Sequence, residues 1–218
     1  MIEAVVLDLD GVLLDTEQLW DEVREDLARE RGGQWSDRAQ ADMMGMSSPE
    51  WSRYMHDVVG LPESPDEIAA EVVRRMETRY RERLPLIPGA REAVERLAAR
   101  WPLGLASSSN RPLIDLALDL GGLAPFLAVT VSSEEVARGK PAPDVYLEAV
   151  RQLGIEPAQA AAVEDSANGI RSAHAAGLRV VAIPNADFPP AEALALTDVV
   201  VDSLDELTPE VIDPDYSE

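Results

Sequence analysis

The sequence predicts an α/β protein, a doubly wound and mainly parallel sheet whose first strand is followed by an all-helical insert. Three observations predict it. From Pro85 onward, short apolar runs alternate with helix-length amphipathic runs, the pattern that right-handed crossovers fold into a parallel sheet. A further apolar run near the N-terminus is separated from these by a long stretch with no comparable strand. Several of the short runs also end abruptly in carboxylate or hydroxyl residues, and open parallel sheets bind ligands beyond the carboxyl ends of their strands.

The elements follow in order. Residues 2–9 form the first strand, rich in Val and Leu. Residues 17 to 83 read as helices. Leu19, Trp20, Val23 and Leu27 make one apolar stripe; Trp51, Met55, Val58 and Val59 make a second; Ile68, Val72, Val73, Met76 and Tyr80 make a third. Each stripe lies near the 3.6-residue period. Gly32-Gly33, the stretch 45–49 and the stretch 60–65 break them. Later strands are expected at 103–106, 128–131, 160–163, 180–183 and 199–201, with helices near 89–100, 112–120, 143–153 and 166–176. Gly154 and Gly177 stand where helices of that length need a C-terminal cap. The expected division is a core of residues 1–14 and 85–218 around an insert of 15–84, with a frayed tail from Pro209.

Composition narrows the function. The chain has 218 residues, 46% of them hydrophobic, enough for a sizeable core. With 41 acidic against 19 basic residues the formal net charge is -22, which repels nucleic acid and anionic membranes. No run is apolar for long enough to span a bilayer, and no basic n-region precedes Glu3. There is no cysteine, hence no disulfide, thiol nucleophile or thiolate metal site. A cytoplasmic, monomeric protein acting on a small molecule is the expectation. Every basic residue is Arg except Lys140. Arg is a wide planar fork, whereas Lys is a compact charge that enters a tight pocket.

The strand ends carry the chemistry. The first ends in Asp8-Leu9-Asp10-Gly11. Side chains two apart on a strand point the same way, so both carboxylates can reach one small volume if the strand extends to Asp10. Asp-x-Asp-Gly also occurs in plain turns and calcium loops. The next core strand ends in Ser107-Ser108-Ser109-Asn110, suited to an oxyanion or simply to a helix N-cap. Arg138-Gly139-Lys140-Pro141 follows the third, and Glu164-Asp165-Ser166 the fourth. Four carboxylates around one Lys cannot all stay ionised without a divalent cation. All-oxygen ligands, with His56 and His174 both in expected helices, favour Mg²⁺ over Zn²⁺.

In this order and spacing, DLDGVLLDTE, LASSSN, GKPAPDVY and VEDSANGI resemble the four motifs of the haloacid dehalogenase superfamily. The resemblance is to the β-phosphoglucomutase-like phosphatase branch, which has a Rossmann-like core and a helical cap, and it runs from Val5 to about Leu204. It implies that Asp8 is a nucleophile forming an aspartyl-phosphate and Asp10 a general acid and base. It also implies that Leu9, Gly11, Ser107, Ser108, Asn110 and Lys140 hold the phosphoryl group. Asp8, Asp10 through its carbonyl, Asp165 and Glu164, directly or through water, would hold Mg²⁺. Asp10 argues against dehalogenation, because the dehalogenases of this superfamily lack that second acid.

The insert is expected to close over the site, with residues 43–51 as its specificity loop. The resemblance implies that an Arg of the related mutases falls at Ser48 here and a Lys near Met76. Their loss favours a phosphatase for a phosphorylated metabolite, a sugar phosphate above all. A mutase using Arg53, Arg75 or Arg79 for a second phosphate is the alternative. A phospho-aspartate switch, as in receiver domains, is a further one.

Overall fold

The computed structural model describes residues 1–36, 38–43, 46–185 and 189–216. Met44 and Gly45 of the expected specificity loop lie outside them. Six parallel strands form one sheet: β1 Ala4–Leu7, β2 Leu103–Ser107, β3 Leu127–Ser132, β4 Ala160–Glu164, β5 Arg179–Ala182 and β6 Val199–Val200, in the order β3-β2-β1-β4-β5-β6. Strand β1 is central, with Val5 opposite Leu103 on one side and Ala161 on the other. The chain winds outward from β1 in both directions, which places the switch in strand order beside it.

Alternation along the strands explains the two layers. Val5 and Leu7 face an apolar cluster built with α5 Ala90–Ala98 and α6 Arg111–Leu120. Val6 between them faces a second cluster with α7 Asp144–Leu153 and α8 Ala167–Ala176. Both faces of β1 are therefore buried, so its sequence is apolar at every position rather than at every second one. Gly154 and Gly177 end α7 and α8 at φ 75° and 83°, conformations a Cβ disfavours.

Among the described residues, four helices lie between β1 and α5: α1 Glu17–Glu30, α2 Ala39–Met43, α3 Ser48–Asp57 and α4 Pro65–Glu82. Ser64 and Glu67 close a capping box at α4, with Pro65 in its first turn; Ser47, Glu50 and Pro49 do the same for α3. The expected stripes pack as cores, apart from Val58. Helix α3 stops at Asp57, so Val58 leaves the helical register and is 61% exposed. The segments entering and leaving these helices lie side by side: Asp15 N donates to the Pro85 carbonyl at 2.8 Å and Ile87 N to the Leu13 carbonyl at 2.9 Å.

Two expectations are corrected. Strand β1 ends at Leu7, before both aspartates, because Leu9 accepts from Leu13 N and Leu14 N in a turn. The tail is anchored through Tyr216. A short helix, α9 Pro209–Ile212, leads to buried Asp213, which accepts from Ile2 N at 2.9 Å, and Tyr216 packs on Trp101. Replacing Asp213 with Ala strands a buried donor, so we predict a loss of about 1–3 kcal/mol in urea unfolding.

Candidate active site

The site forms where β1, β2 and β4 end. Lys140 is 4% exposed and its Nζ donates to Asp8 Oδ1 at 2.8 Å and Glu164 Oε1 at 2.6 Å. Tyr146 of α7 donates its hydroxyl to the same Glu164 oxygen at 2.6 Å, and its ring lies 5.2 Å from the ammonium. The other Glu164 oxygen accepts from Asp165 N and from the Ser166 hydroxyl. Glu164 thus fixes Lys140 and the start of α8 at once. Gly169 is required for this, since a Cβ there would lie 1.9 Å from the Glu164 carboxylate.

Burial sets the electrostatics. It pushes Asp8 up to about 8 against the pull of Lys140, with Glu164 adding to the rise. Burial also raises Asp165 well above the ordinary range, followed by repulsion from Glu164 and Asp8. Burial alone would lower Lys140, but Asp8 and Glu164 outweigh it and hold the ammonium charged. One cation is too little for these carboxylates.

A metal ion fits this imbalance. Carboxylate oxygens of Asp8, Glu164 and Asp165 lie within 4.8 Å of one another, and Asp165 Oδ1 is buried with no hydrogen-bond partner. Three carboxylates with no nitrogen or sulfur ligand suit a hard divalent cation. Gly11, at φ 84°, makes room: its Cβ would fall 2.0 Å from Asp165 Oδ2. Its amide donates to the Leu14 carbonyl at 2.7 Å, so the visible part it plays is steric. Leu9 has its side chain in the core and offers the site only backbone.

Asp10 lines the same cavity as Asp8 but is held differently. The Thr16 and Ser109 hydroxyls each donate to one of its oxygens at 2.6 Å. The two acids are therefore separated by their partners, one on an ammonium and one on hydroxyls. Ser107 is fully buried and its hydroxyl accepts from Ser109 N at 3.0 Å. Ser108 keeps a buried hydroxyl without a partner in the cavity wall. Asn110 accepts from the Ser48 hydroxyl at 2.9 Å, a direct link between α3 and the end of β2. The structure thus gathers Asp8, Asp10, Ser108, Asn110, Lys140 and Asp165 around one cavity, with Glu164 and Ser107 behind them.

The model for the haloacid dehalogenase-like hydrolases matches residues 2–177. This chain belongs to that family. It is 33% identical over 213 residues to hexitol phosphatase B of Escherichia coli (strain K12), covering 95% of both chains. Among solved structures it is similar to CbbY from Rhodobacter sphaeroides in complex with phosphate, with TM-score 0.87, 28% identity and coverage of 98% and 100%. A CbbY mutant from the same organism in complex with xylulose-(1,5)bisphosphate matches with TM-score 0.84 at 28% identity, covering 95% and 96%.

Sequence reasoning missed several residues of this hydrolase. Thr16 and Ser109 lay within quoted motifs, but only the fold shows that both bind Asp10. Tyr146 likewise ends a quoted motif, GKPAPDVY, and was given no role. Glu17 and Arg24 of α1 line the cavity from the insert side, and α1 looked like an ordinary amphipathic helix. Burial and the nearby Asp10 raise Glu17 to about 7, and burial lowers Arg24 to about 10.

Two substitutions test the geometry. Lys140→Met leaves two buried carboxylates without their cation, so unfolding at pH 8 should show a loss of about 3–5 kcal/mol. The loss should shrink toward pH 5, where Asp8, pushed up to about 8 by burial, is protonated. Gly11→Ala should fold less stably and lose binding of a divalent cation, read by calorimetric titration, because its Cβ and the Asp165 carboxylate need the same space.

Proposed function

We propose that this hydrolase is a Mg²⁺-dependent phosphatase for a small phosphorylated sugar, working through an aspartyl-phosphate on Asp8. The observation that carries the reading is the pair of differently held acids: Asp8 on the buried Lys140, Asp10 on two hydroxyls, both facing one cavity. The phosphatase name of the Escherichia coli relative supports the same reaction class.

An Asp8 oxygen attacks phosphorus, and the bond from phosphorus to the sugar oxygen breaks. Asp10 gives its proton to the departing alkoxide. Water then attacks the phosphoryl group, Asp10 takes the proton of that water, and the Asp8 carboxylate is released with inorganic phosphate. The Ser108 hydroxyl and the Lys140 ammonium steady the phosphoryl oxygens, with Ser107 positioning the turn. Asp8, Asp165 and the Asp10 carbonyl would hold Mg²⁺, with Glu164 orienting them. When bound, the ion neutralises negative charge on the phosphoryl group and the carboxylates. Residues 15–84 act as a cap over a core of 1–14 and 85–218, and the protein works as a cytoplasmic monomer. Among the described residues, no helix is long and apolar enough to cross a membrane.

The mutase reading needs a second anion site, and the three cations named for it, Arg53, Arg75 and Arg79, do not supply one. Ser48 is bonded to Asn110, and Met76 lies in the core. Arg75 pairs with Glu30 and Glu71, Arg79 pairs with Glu22, and Arg53 is not in the cavity wall. A phospho-aspartate switch would have no use for Asp10 as a proton carrier.

Phosphate release from a panel of sugar phosphates, nucleotides and phosphoglycolate should require Mg²⁺ and stop with chelator. Asp8→Asn should lower turnover more than about 10³-fold, and substantial residual Mg²⁺-dependent activity would remove Asp8 as nucleophile. Net conversion of β-glucose 1-phosphate to the 6-phosphate without phosphate release would favour the mutase.

A second test uses pH. Asp8 is raised in the folded metal-free protein, so the native state binds more protons than the unfolded chain between about pH 4 and 8. Stability of the metal-free protein should therefore fall as pH rises through that window. Mg²⁺ competes with those protons, so it should raise Tm more at pH 8 than at pH 6 in a thermal melt.

A further inference from the structure

Arg24 is the anomaly of the cavity. It is 5% exposed, yet among the described residues no carboxylate lies within ion-pair distance of its guanidinium. Its charge sits 4.7 Å from the Trp20 ring centroid and 4.8 Å from that of Trp51, two rings whose centroids are 6.0 Å apart. Its one hydrogen bond to a described residue is a long one, from Nη1 to Gln40 Oε1 at 3.5 Å. Nε is buried with no partner. A buried charge that is not paired is costly and is retained where something else completes it.

Gln40 ties this cation to an acceptor. Its amide nitrogen donates to Glu17 Oε2 and to the Glu17 main-chain carbonyl, both at 3.1 Å. Arg24, Gln40 and Glu17 thus form a row of a donor, a spacer and a half-buried acceptor, all within the insert. Arg24 and Glu17 line the same cavity as Asp8.

We propose that Arg24 and Glu17, spaced by Gln40, select the non-reacting end of the substrate as a neutral, hydroxyl-bearing polyol and discriminate against a second anionic group. This deepens the phosphatase reading above and rests on it. The guanidinium can only donate, and above about pH 7, where Glu17 is mainly ionised, its carboxylate can only accept. Neighbouring hydroxyls do both, so a diol can accept from Arg24 while donating to Glu17. A phosphate or carboxylate satisfies Arg24 but brings acceptor oxygens against Glu17. Lys140 is already committed to Asp8 and Glu164, so it does not hold a second anion. Glu17, Asp21 and Asp10 are the carboxylates that act most on Arg24, and each repels an anion brought to the guanidinium. The two Trp rings hold the guanidinium plane in place, which limits the rotamer entropy lost when ligand binds.

The test is a calorimetric titration at pH 8, where Glu17 is mainly ionised, of the Asp8→Asn protein in Mg²⁺ with sorbitol 6-phosphate, fructose 1,6-bisphosphate and 2-phosphoglycolate. Sorbitol 6-phosphate should bind at least about tenfold more tightly than either, the effect of one charge-assisted hydrogen bond kept or lost. Adding Arg24→Met should reduce that preference to less than about threefold. If Arg24→Met fails to fold in a thermal melt, Glu17→Gln supplies the second variant and should weaken sorbitol 6-phosphate more than the bisphosphate. Tighter binding of the bisphosphate or of phosphoglycolate, or a preference that survives both substitutions, overturns the inference. Wild-type phosphate release is scored separately. Selective binding with no turnover of any monoester would defeat the phosphatase reading and leave this one standing.

Discussion

The buried ammonium of Lys140, shared between Asp8 and Glu164, is the contact on which the rest of the site depends. Removing three charged groups from water is expensive, and their mutual attraction offsets that cost only when every remaining hydrogen-bonding position is filled. Here Tyr146 supplies a further donor to Glu164, and the start of α8 supplies the others. Gly169 is small because Glu164 occupies the place of its Cβ. A guanidinium would be too wide for the same position, which accounts for the one Lys in a chain that otherwise uses Arg.

The sheet order explains how residues from distant parts of the chain meet. With β1 central and β2 and β4 on either side, three strand ends open onto one volume. Asp8 follows β1, the serine turn follows β2, and Glu164 closes β4. Side-chain hydrogen bonds tie the helical insert to this volume. Thr16, where α1 begins, binds Asp10 directly, and Ser48, where α3 begins, binds Asn110. Position of the insert and placement of the second acid are therefore mechanically linked. A movement of α1 that breaks the Thr16 bond would release an Asp10 oxygen.

Most of the fold was legible because both faces of the sheet are buried, so the strands read as unbroken apolar runs and the crossover helices as stripes. The glycine caps after α7 and α8 fell where expected for the same local reason. The ends were harder. Leu9 continues the apolar run of β1, yet a tight turn claims its carbonyl, and the strand stops at Leu7. Asp213 is a single polar residue in an acidic tail, and nothing local says that Ile2 waits for it. In the site, residues directly after strands were visible because topology alone selects them. Arg24 was not, since a charge on an amphipathic helix ordinarily faces solvent; only the packing of Trp20 against Trp51 shows that this one is buried.

The claim that Asp8 carries the phosphoryl group is tested most directly by trapping it. Replacing Asp10 with Asn should leave attack by Asp8 possible for a substrate with a good leaving group, while slowing hydrolysis of the intermediate. Acid-quenched Asp10→Asn protein, incubated with p-nitrophenyl phosphate and Mg²⁺, should show by mass spectrometry the gain of one phosphoryl group on the peptide containing Asp8, and the Asp8→Asn/Asp10→Asn double variant should show none. Turnover by the wild-type enzyme with no label on that peptide in the trapped variant, or with the label on another residue, would contradict the account.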